Sequence, residues 1–312
     1  MPSPTVYRSG TVAIVGRPNV GKSTLLNTAL RERLAIVTST PQTTRDRILG
    51  VVRHGDAQIA LIDTPGLHRP RSRLGRHMNS IAREAAREAD AVIFMIAVPS
   101  ERDELKPHPG DTTLLEAVGD PARVVFVINK VDRLADRSVL LAFIDAWSKL
   151  ASFAAVVPIS ARRHDGVELV LGEVAKLLPE RGAVYAEDFL TDRPVRFFAS
   201  EFVREQIILA TRQEVPHHVA VTIDRFDESG KVVHIEATIH CAKESQRPIL
   251  LGAGGERIKS IGTAARRRIE EMVERQVNLK LWIEVDEAWQ DSSESLGEFG
   301  YDGSGNVDGS DR

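Results

Sequence analysis

Residues 16–23, which read GRPNVGKS, have the spacing of a loop that binds phosphate groups. A strand-like run, TVAIV, precedes the loop and a helix-like run, TLLNTAL, follows it. This arrangement directs backbone N–H groups at phosphate oxygens, while the lysine reaches the β- and γ-phosphates and the hydroxyl binds Mg²⁺. The alternative is a glycine turn with an exposed lysine, and the motifs that follow argue against it. The predicted phosphate-binding residues are Gly16, Arg17, Pro18, Asn19, Val20, Gly21, Lys22, Ser23 and Thr24, with Gly66 from a later loop.

Two later segments supply the remaining parts of a magnesium and γ-phosphate site. The run LIDTPGL places Asp63 at the end of a buried strand, where a carboxylate can hold Mg²⁺ through water, and the Gly66 N–H can meet the γ-phosphate. The loop PQTTRDRI supplies a threonine that can sense the γ-phosphate and Mg²⁺. We favour Thr44 over Thr43 for this role. We therefore predict Ser23, Thr44 and Asp63 as the metal-binding residues. The predicted switch residues are Thr43, Thr44, Asp63, Thr64, Pro65, Gly66 and Leu67.

The segment NKVD at 129–132 indicates which base the site prefers. Asp132 can accept hydrogen bonds from the N1–H and 2-amino groups of guanine, whereas adenine has no donors in those places. Asn129 can meet the N7 and 6-oxygen edge, and the stem of Lys130 can cover the ring. A backbone N–H of Ser160-Ala161 is predicted to reach the 6-oxygen. Because an unpaired carboxylate against adenine would cost several kcal/mol, we predict GTP and GDP as ligands rather than ATP.

One residue that many GTPases use is absent from its expected position. Leu67 follows DTPG, where a glutamine often orients the attacking water, and a leucine cannot form that hydrogen bond. Intrinsic hydrolysis is therefore expected to be slow or to need help from elsewhere. Our hypothesis is that the amide oxygen of Asn19 helps to hold K⁺ beside the phosphates. The alternative is that Asn19 bonds its own backbone in a turn.

Length and composition indicate a soluble chain of about two domains. Of its 312 residues, 42% are apolar and 27% are charged, and the net charge of −3 means that any basic surface must be local. The single cysteine, Cys241, excludes an internal disulfide framework and fits a reducing cytosol. The longest apolar run, residues 91–98, is too short to span a bilayer, so we expect a cytoplasmic protein.

Hydrophobic patterning divides the chain into domains of different fold. Five buried strand-like runs, at 11–15, 59–62, 91–98, 124–128 and 155–159, alternate with helix-like stretches. This pattern predicts an α/β fold, namely a P-loop GTPase with a mostly parallel doubly wound sheet. The predicted division is a flexible N-terminus at 1–9, the GTPase domain at 10–180, a linker at 181–194, a smaller α+β domain at 195–289 and an acidic disordered tail at 290–312.

A second glycine loop, GAGG at 252–255, lies between two helix-like segments of the smaller domain. The order helix, strand, strand, helix, G-x-x-G, helix, strand is typical of a KH domain, whose glycine loop clamps about four nucleotides. Residues 190–289 hold 15 Lys/Arg and 16 Asp/Glu, so we expect a groove that reads a few bases rather than a purely electrostatic surface. The predicted RNA-binding residues are Gly252, Ala253, Gly254, Gly255, Arg257, Lys259, Arg266 and Arg267.

Over residues 10 to about 289 the chain resembles the Era family of bacterial ribosome-assembly GTPases. GRPNVGKSTLLN, PQTTRDRI, DTPGL, NKVD, ISA, RPILLGAGGERIKSIGTAARRRIE and LWIEVDEAW follow one another in that family's order. The resemblance implies a type II KH domain, binding to 16S ribosomal RNA near its 3′ end, a role in assembly of the small (30S) subunit, and some peripheral membrane association. Ala253-Gly254 stands where the family usually has lysine, and the acidic tail lies outside the resemblance.

Two interpretations of the whole chain remain at this point. In the first, the protein is a monomeric GTP-hydrolysing switch whose nucleotide state controls RNA binding. In the second, it is a constitutive single-stranded RNA-binding chaperone with a slow, uncoupled GTPase, which Leu67 would favour. A G protein of membrane transport or tRNA modification would share the first domain but would lack the KH-like order after residue 194.

Overall fold

The chain folds as two units in the computed structural model. The structure describes residues 6–98, 106–134, 136, 138–211, 215, 218–287 and 289–301. The first unit comprises residues 1–35, 44–69 and 78–192, and the second comprises residues 36–43, 70–77 and 193–312. The second unit thus begins two residues before the predicted start at 195. It also includes two short segments from the first half of the chain, which the sequence did not predict.

A six-stranded sheet forms the centre of the first unit. Its strands are β1 (Arg8–Val15), β2 (Ile48–His54), β3 (Ala57–Asp63), β4 (Ala91–Ala97), β5 (Val124–Asn129) and β6 (Ala155–Pro158), in the spatial order β2-β3-β1-β4-β5-β6. All neighbouring pairs are parallel except β2 and β3, which form an antiparallel hairpin. The five predicted strands and the mostly parallel doubly wound sheet are confirmed. Strand β2 was not predicted.

Among the described residues, five α-helices accompany this sheet, and both faces of the sheet are buried. They are α1 (Lys22–Leu30), α2 (Arg73–Glu88), α3 (Pro109–Val118), α4 (Ser138–Ser148) and α5 (Val167–Leu177). Successive residues of β4, such as Phe94 and Met95, point to opposite faces of the sheet, and both are fully buried. One face packs Phe94 and Phe126 against Trp147 of α4, with ring centroids 5.7 and 4.9 Å from the indole. Helix α3 was not predicted.

The second unit contains a three-stranded sheet with helices. Its elements are α6 (Val195–Ala210), β7 (Val219–Asp227), β8 (Val232–Cys241), α7 (Gln246–Leu251), α8 (Glu256–Val273), β9 (Gln276–Val285) and α9 (Ser293–Glu298). Strand β8 lies between an antiparallel β7 and a parallel β9. Val203, Ile239 and Ile261 belong to its apolar core. Burial raises the pKa of the Cys241 thiol, as expected of a core cysteine.

The C-terminal segment is more ordered than its composition predicted. The predicted disorder from Gln290 onward is wrong for residues 290–301, which include α9. Trp289 is fully buried and its indole N–H donates to the His218 carbonyl at 3.2 Å. Phe299 lies over His240 with ring centroids 4.2 Å apart, and Leu296 is buried. Three apolar anchors spaced among acidic residues therefore hold this segment, whereas residues 302–312 lie outside the described part of the chain.

The ends of the first unit also differ from the predicted boundaries. Strand β1 starts at Arg8, inside the segment expected to be a flexible N-terminus. The predicted linker 181–194 packs along the sheet, because Gln58 bonds the backbone of Val184 and Tyr185 and the Val51 N–H donates to the Leu190 carbonyl at 2.9 Å. Within the described residues, no helix is both long and apolar enough to span a membrane.

Candidate functional site

The phosphate loop connects β1 to α1, as the sequence predicted. Lys22 begins α1 and is 6% exposed, and its ammonium donates to the carbonyls of Gly16 at 3.2 Å and Arg17 at 3.1 Å. These two bonds hold the lysine inside the loop. The side chain of Arg17 is bound to α3, because its Nε donates to the buried carboxylate of Asp111 at 2.7 Å. Arg17 therefore offers the site its backbone, and its guanidinium fixes the loop to α3.

Two buried ionisable groups of opposite charge define the electrostatics of this site. Asp63 is fully buried at the end of β3, and burial raises the pKa of its carboxyl despite the nearby Lys22. Burial likewise lowers the pKa of Lys22 to about 8, which the Asp63 carboxylate partly opposes. Both shifts have the same cause, since a buried group loses the hydration that favours its charged form. An anionic ligand at the lysine and a cation at the carboxylate would each restore the charged forms.

The oxygen atoms around Asp63 fit a magnesium ion. Ser23 donates to Asp63 Oδ2 at 2.7 Å, the Thr44 hydroxyl lies 3.3 Å from the same oxygen, and the two hydroxyls are 2.9 Å apart. The other carboxylate oxygen, Oδ1, is buried without a hydrogen-bond partner among the described residues. Mg²⁺ prefers such a cluster of oxygen atoms, completed by waters and substrate phosphates. The structure thus brings Ser23, Thr44 and Asp63 together, as predicted.

The remaining switch residues have distinct structural roles. The Thr64 hydroxyl donates to the Ile14 carbonyl at 2.7 Å, so this side chain joins β3 to β1. A Cβ on Gly66 would lie 2.6 Å from the backbone nitrogen of Pro18, so a side chain at 66 would collide with the phosphate loop. Leu67 is half-buried against the apolar core, and its N–H donates to the Gly16 carbonyl at 3.3 Å. Its side chain offers no hydrogen bond to water.

Thr43 belongs to the second unit and is bound there by a residue that the sequence did not identify. Arg204 of α6 donates a hydrogen bond to the Thr43 carbonyl and is 1% exposed. Two bonds to Glu201, at 2.8 and 2.6 Å, hold the guanidinium in place. Burial works against the charge, but the Glu201 carboxylate outweighs it and raises the pKa of Arg204. The sequence feature that could have identified Arg204 is its i, i+3 pairing with Glu201 on the otherwise apolar face of α6.

The guanine motif forms a pocket lined by Val131, Asp132, Leu134, Leu140, Ser160, Arg163 and Asp165. The Ser160 hydroxyl donates to Asp132 Oδ1 at 2.7 Å, and this hydrogen bond is the main cause that lowers the pKa of Asp132. Asp132 is therefore held ionised and oriented, which suits a carboxylate that accepts two donors from a base. Its direct contact with guanine stays a prediction.

Asn129 and Ala161 form a hydrogen bond that bears on the predicted contact between the Ser160-Ala161 backbone and the guanine 6-oxygen. Asn129 is 3% exposed, and its amide nitrogen donates to the Val20 carbonyl at 2.8 Å. Its amide oxygen accepts the Ala161 N–H at 3.0 Å, and the Ser160 N–H donates to the Asp165 carbonyl. Asn129 thus ties the phosphate loop to the Ser160-Ala161 segment. Both backbone donors predicted to reach the guanine 6-oxygen have protein acceptors in this structure.

Asn19 and Lys130 connect the phosphate loop to the guanine motif from the other side. Both residues have left-handed backbone angles, with φ of 63° and 67°. The Lys130 ammonium donates to the Asn19 carbonyl, and burial lowers the pKa of this lysine. The Asn19 backbone is therefore fixed from the base side of the loop. The role of its side chain towards K⁺ stays a prediction.

The glycine loop of the second unit has the geometry expected of a backbone clamp. Gly252, Gly254 and Gly255 have positive φ values of 71°, 58° and 81°. A Cβ added to Gly254 or Gly255 would meet no atom within 4 Å, so the space above these two residues is open. Glycine is favoured here by backbone conformation, and a nucleic-acid backbone can approach the main chain closely. Ala253 is exposed at the same turn.

The predicted cations around this loop divide into two groups. Arg257 donates to the Ile249 carbonyl, so its guanidinium joins α7 to α8 across the glycine loop. Lys259, Arg266 and Arg267 are exposed on α8. Arg266 lies 4.0 Å from Glu270, an exposed pair of little energetic weight. Three of the four predicted cations are thus accessible to an anionic ligand.

Comparison with known proteins assigns both units. The family model described as a 50S ribosome-binding GTPase matches residues 11–130, and the KH domain model matches residues 214–290. GTPase Era of Ruminiclostridium cellulolyticum is 41% identical over 297 residues, which cover 95% of this chain and 98% of that protein. GTPase Era of Xanthomonas oryzae pv. oryzae is 42% identical over 298 residues, with the same coverage.

Two solved structures of Era have the same fold over almost the whole chain. A variant of Aquifex aeolicus Era bound to GDP·AlF₄⁻ superposes with a TM-score of 0.88 at 36% identity and covers 94% of this chain and 99% of that one. Era in complex with MgGDPNP and nucleotides 1506–1542 of 16S ribosomal RNA has the same TM-score and identity and covers 95% and 99%. With the P-loop site and the KH glycine loop in place, the chain belongs to the Era family of GTPases.

Proposed function

We propose that this GTPase is a switch that binds the 3′ region of 16S ribosomal RNA and acts in assembly of the 30S subunit. One observation carries the proposal: the same chain has a buried Lys22–Asp63 phosphate and metal site and an open Gly254-Gly255 clamp. A related Era structure contains both MgGDPNP and 16S nucleotides 1506–1542, which supports assigning one ligand to each site.

In this proposal the residues of the first unit bind and orient GTP for attack by water on the γ-phosphate. Lys22 exchanges its two carbonyl acceptors for phosphate oxygens, and Asp132 selects guanine. Ser23, Thr44 and Asp63 hold Mg²⁺, which supplies positive charge to the phosphates when bound. Departure of the γ-phosphate removes what Thr44 and the Gly66 N–H bind, so residues 34–49 and 63–80 rearrange.

Because residue 67 is a leucine, another group must orient the attacking water for GTP hydrolysis. Since its side chain packs against the core, a water molecule must be oriented by the backbone or by groups outside residue 67. We propose that Asn19 supplies an oxygen to K⁺, whose charge would stabilise the transition state. Turnover without an activator is then slow.

Arg204 offers a physical route between nucleotide state and RNA affinity. It binds the carbonyl of Thr43, the residue directly before Thr44, whose hydroxyl bonds Ser23 and Asp63. A change in what Thr44 binds therefore changes the peptide that Arg204 holds. Arg204 lies on α6, the first helix of the KH-containing unit. The second candidate function, a constitutive RNA chaperone, would need no such contact.

We propose a cytoplasmic monomer, and the free, buried Cys241 is compatible with a reducing compartment. Peripheral membrane association, which the family resemblance implied, is proposed as a secondary property. Binding to anionic vesicles tests it.

The proposed switch predicts that nucleotide state changes RNA affinity. We expect the dissociation constant for a short single-stranded RNA matching the 16S 3′ end to differ more than about tenfold, or ~1.4 kcal/mol, between GDP and a non-hydrolysable GTP analogue at fixed salt. Fluorescence anisotropy measures both states. Equal affinities would favour the constitutive chaperone, and absence of binding in both states would contradict the RNA proposal.

The proposed coupling through Arg204 is tested by measuring RNA affinity in both nucleotide states for the double variant Glu201→Gln with Arg204→Gln. Removing both charges of the Glu201–Arg204 pair avoids leaving either of these two partners buried without the other, which would cost about 3–5 kcal/mol. We expect the ratio of the two RNA affinities to fall towards one while GTP affinity stays unchanged. A variant that keeps the full ratio would show that Arg204 is only structural.

The lowered pKa of Lys22 predicts a pH dependence of nucleotide affinity. Phosphate favours the protonated amine, so binding raises a pKa that is about 8 in the free protein. Affinity should therefore be constant below about pH 7 and weaken as pH rises through 8, by about tenfold between pH 7 and 9. Calorimetry in two buffers should also detect proton uptake near pH 8.5. A flat affinity without proton uptake would mean that Lys22 is fully charged in the free protein.

The Asn19 hypothesis predicts cation-dependent turnover. Steady-state GTP hydrolysis should be faster in KCl than in NaCl at equal ionic strength, and Asn19→Ala should remove the difference without a large change in GDP affinity. The amide oxygen is the proposed ligand, so the aspartate variant should keep part of the K⁺ effect. Equal rates in the two salts would exclude the hypothesis.

A further inference from the structure

The N-terminus of helix α2 is held by two residues of the C-terminal segment. The Arg73 N–H donates to Asp291 Oδ1 at 2.7 Å, and the Leu74 N–H donates to the Gln290 carbonyl at 3.0 Å. The first N–H groups of an α-helix have no acceptor within the helix, so both bonds fill places that would otherwise need water. We name Gln290 and Asp291 the α2 clasp.

The start of α2 depends on this tertiary contact. A carboxylate at a helix N-terminus accepts free N–H groups, and its negative charge interacts favourably with the helix dipole. Ser72 supplies a further acceptor, since its hydroxyl accepts the Gly75 N–H at 3.1 Å. The carboxylate itself comes from Asp291, which is 218 positions away from Arg73 in the chain. A change at the C-terminal segment can therefore alter where α2 begins.

Buried residues on both sides of the clasp fix it to the second unit. Trp289, directly before the clasp, is fully buried, and its indole N–H donates to the His218 carbonyl at 3.2 Å. The ring nitrogen Nδ1 of His218 lies 3.0 Å from the side-chain oxygen of Gln290. Farther along the chain, Leu296 of α9 is buried as well. The clasp is thus a positioned part of the second unit.

Helix α2 continues from the clasp into the first unit. Its residues up to 77 group with the second unit, and those from 78 onward group with the first. Asn79 is 7% exposed, and its amide donates to the His68 carbonyl at 2.8 Å and accepts the His68 N–H at 3.3 Å. Asn79 follows Arg73 by only about 9 Å of helix. Because a helix is a rigid element, the contact that holds Arg73 also helps to set the position of Asn79.

His68 connects Asn79 to the phosphate site. Its ring nitrogen Nδ1 lies 2.9 Å from the Gly66 carbonyl. Gly66 lies so close to the phosphate loop that a Cβ added to it would be 2.6 Å from the backbone nitrogen of Pro18. The loop whose N–H we expect to meet the γ-phosphate is therefore connected to the clasp through described contacts.

The clasp occurs together with one particular arrangement of the two switch loops. The Thr44 hydroxyl lies at the predicted metal site, 3.3 Å from Asp63 Oδ2, while Gly66 lies against the phosphate loop. In this arrangement both loops could meet the γ-phosphate and Mg²⁺. A contact that forms in only one of two conformations shifts the equilibrium towards that conformation. The clasp is therefore expected to favour the conformation that binds GTP.

We propose that Asp291 is a positioning residue for GTP hydrolysis, because the α2 clasp stabilises the arrangement of residues 63–80 that binds the γ-phosphate. The inference rests on the proposed function in taking residues 63–80 as a segment that rearranges when the γ-phosphate leaves. It goes beyond the proposed function by giving the C-terminal segment a role in the reaction of the first unit. When GDP is bound, the start of α2 is free to leave the clasp.

The test compares Asp291→Ala with the wild type in the full chain, without RNA. Asp291 is exposed, so its removal leaves no cavity. We expect the ratio of affinities for a non-hydrolysable GTP analogue and for GDP, both with Mg²⁺, to fall about threefold to fivefold, as for the loss of a helix cap. The kcat/KM for GTP should fall by the same factor. A contact that is only structural would lower both nucleotide affinities alike.

Two variants serve as matched controls. Asp291→Asn keeps a side-chain oxygen that can accept the Arg73 N–H, and asparagine caps helices about as well as aspartate, so most of the wild-type ratio should return. Asp120→Ala removes another exposed capping carboxylate, which accepts the Ala122 N–H at 2.9 Å outside the switch segments. It changes the net charge by the same amount and should leave the ratio unchanged.

A third variant tests the connection beyond the clasp. Asn79→Ala leaves the clasp intact and removes both bonds to His68, so it should lower the same ratio, and it serves this purpose even if Asp291→Ala fails to fold. In the double variant Asp291→Ala with Asn79→Ala the two losses should not add, because both residues act through one route.

The outcomes separate this inference from the proposed function. An unchanged ratio in Asp291→Ala, or an equal loss of affinity for both nucleotides, would overturn it. An equal loss in the Asp120 variant would assign the effect to net charge and would also overturn it. Additive losses in the double variant would contradict the route through Asn79. Because these measurements contain no RNA, the proposed function fails separately, through equal RNA affinities of the wild type in both nucleotide states.

Discussion

The burial of Lys22 and Asp63 within one site is the constraint on which the rest of the structure depends. Asp63 has no exposure and Lys22 has 6%, and burial disfavours the charged form of each. Opposite charges buried in one site regain part of their lost hydration energy from each other, but only when further polar groups satisfy them. Here the hydroxyls of Ser23 and Thr44 contact one oxygen of Asp63, and the other oxygen has no hydrogen bond among the described residues. Such a site could accept phosphate at the lysine and a cation at the carboxylate, as we propose.

The parallel sheet is what places these two groups together. Strands β1 and β3 are neighbours, with Ile14 opposite Asp63 in the register, so the phosphate loop and Asp63 both emerge at the carboxyl edge. The Thr64 hydroxyl bonds the Ile14 carbonyl and fixes this end of the pair. Asn129, the last residue of β5, and Lys130, directly after it, bind the loop from the base side. The segments predicted to select guanine therefore also hold the loop predicted to bind phosphate.

The sequence predicted the parts of the fold that depend on continuous burial. Strands buried on both faces appear as uninterrupted apolar runs, and four motifs of the nucleotide site followed such runs, whereas the loop with Thr43 and Thr44 did not. Strand β2 was missed because it lies at the edge of the sheet, where its apolar residues share the run with Gly50 and Arg53. Helix α9 was missed because its anchors are few among acidic residues. Arg204 could not be found by motif, since its role depends on a contact with Thr43, 161 positions away in the chain.

The measurement that tests this account most directly is the affinity of a GTP analogue with and without Mg²⁺, in the wild type and in Asp63→Asn. If the buried carboxylate is the cation site, Mg²⁺ should strengthen binding to the wild type by at least about tenfold and should have little effect on the variant. Without Mg²⁺ the variant should bind as well as the wild type or better, because a carboxylate repels phosphate. A variant that keeps the full Mg²⁺ effect would contradict the claim that Asp63 is the group around which the site is built.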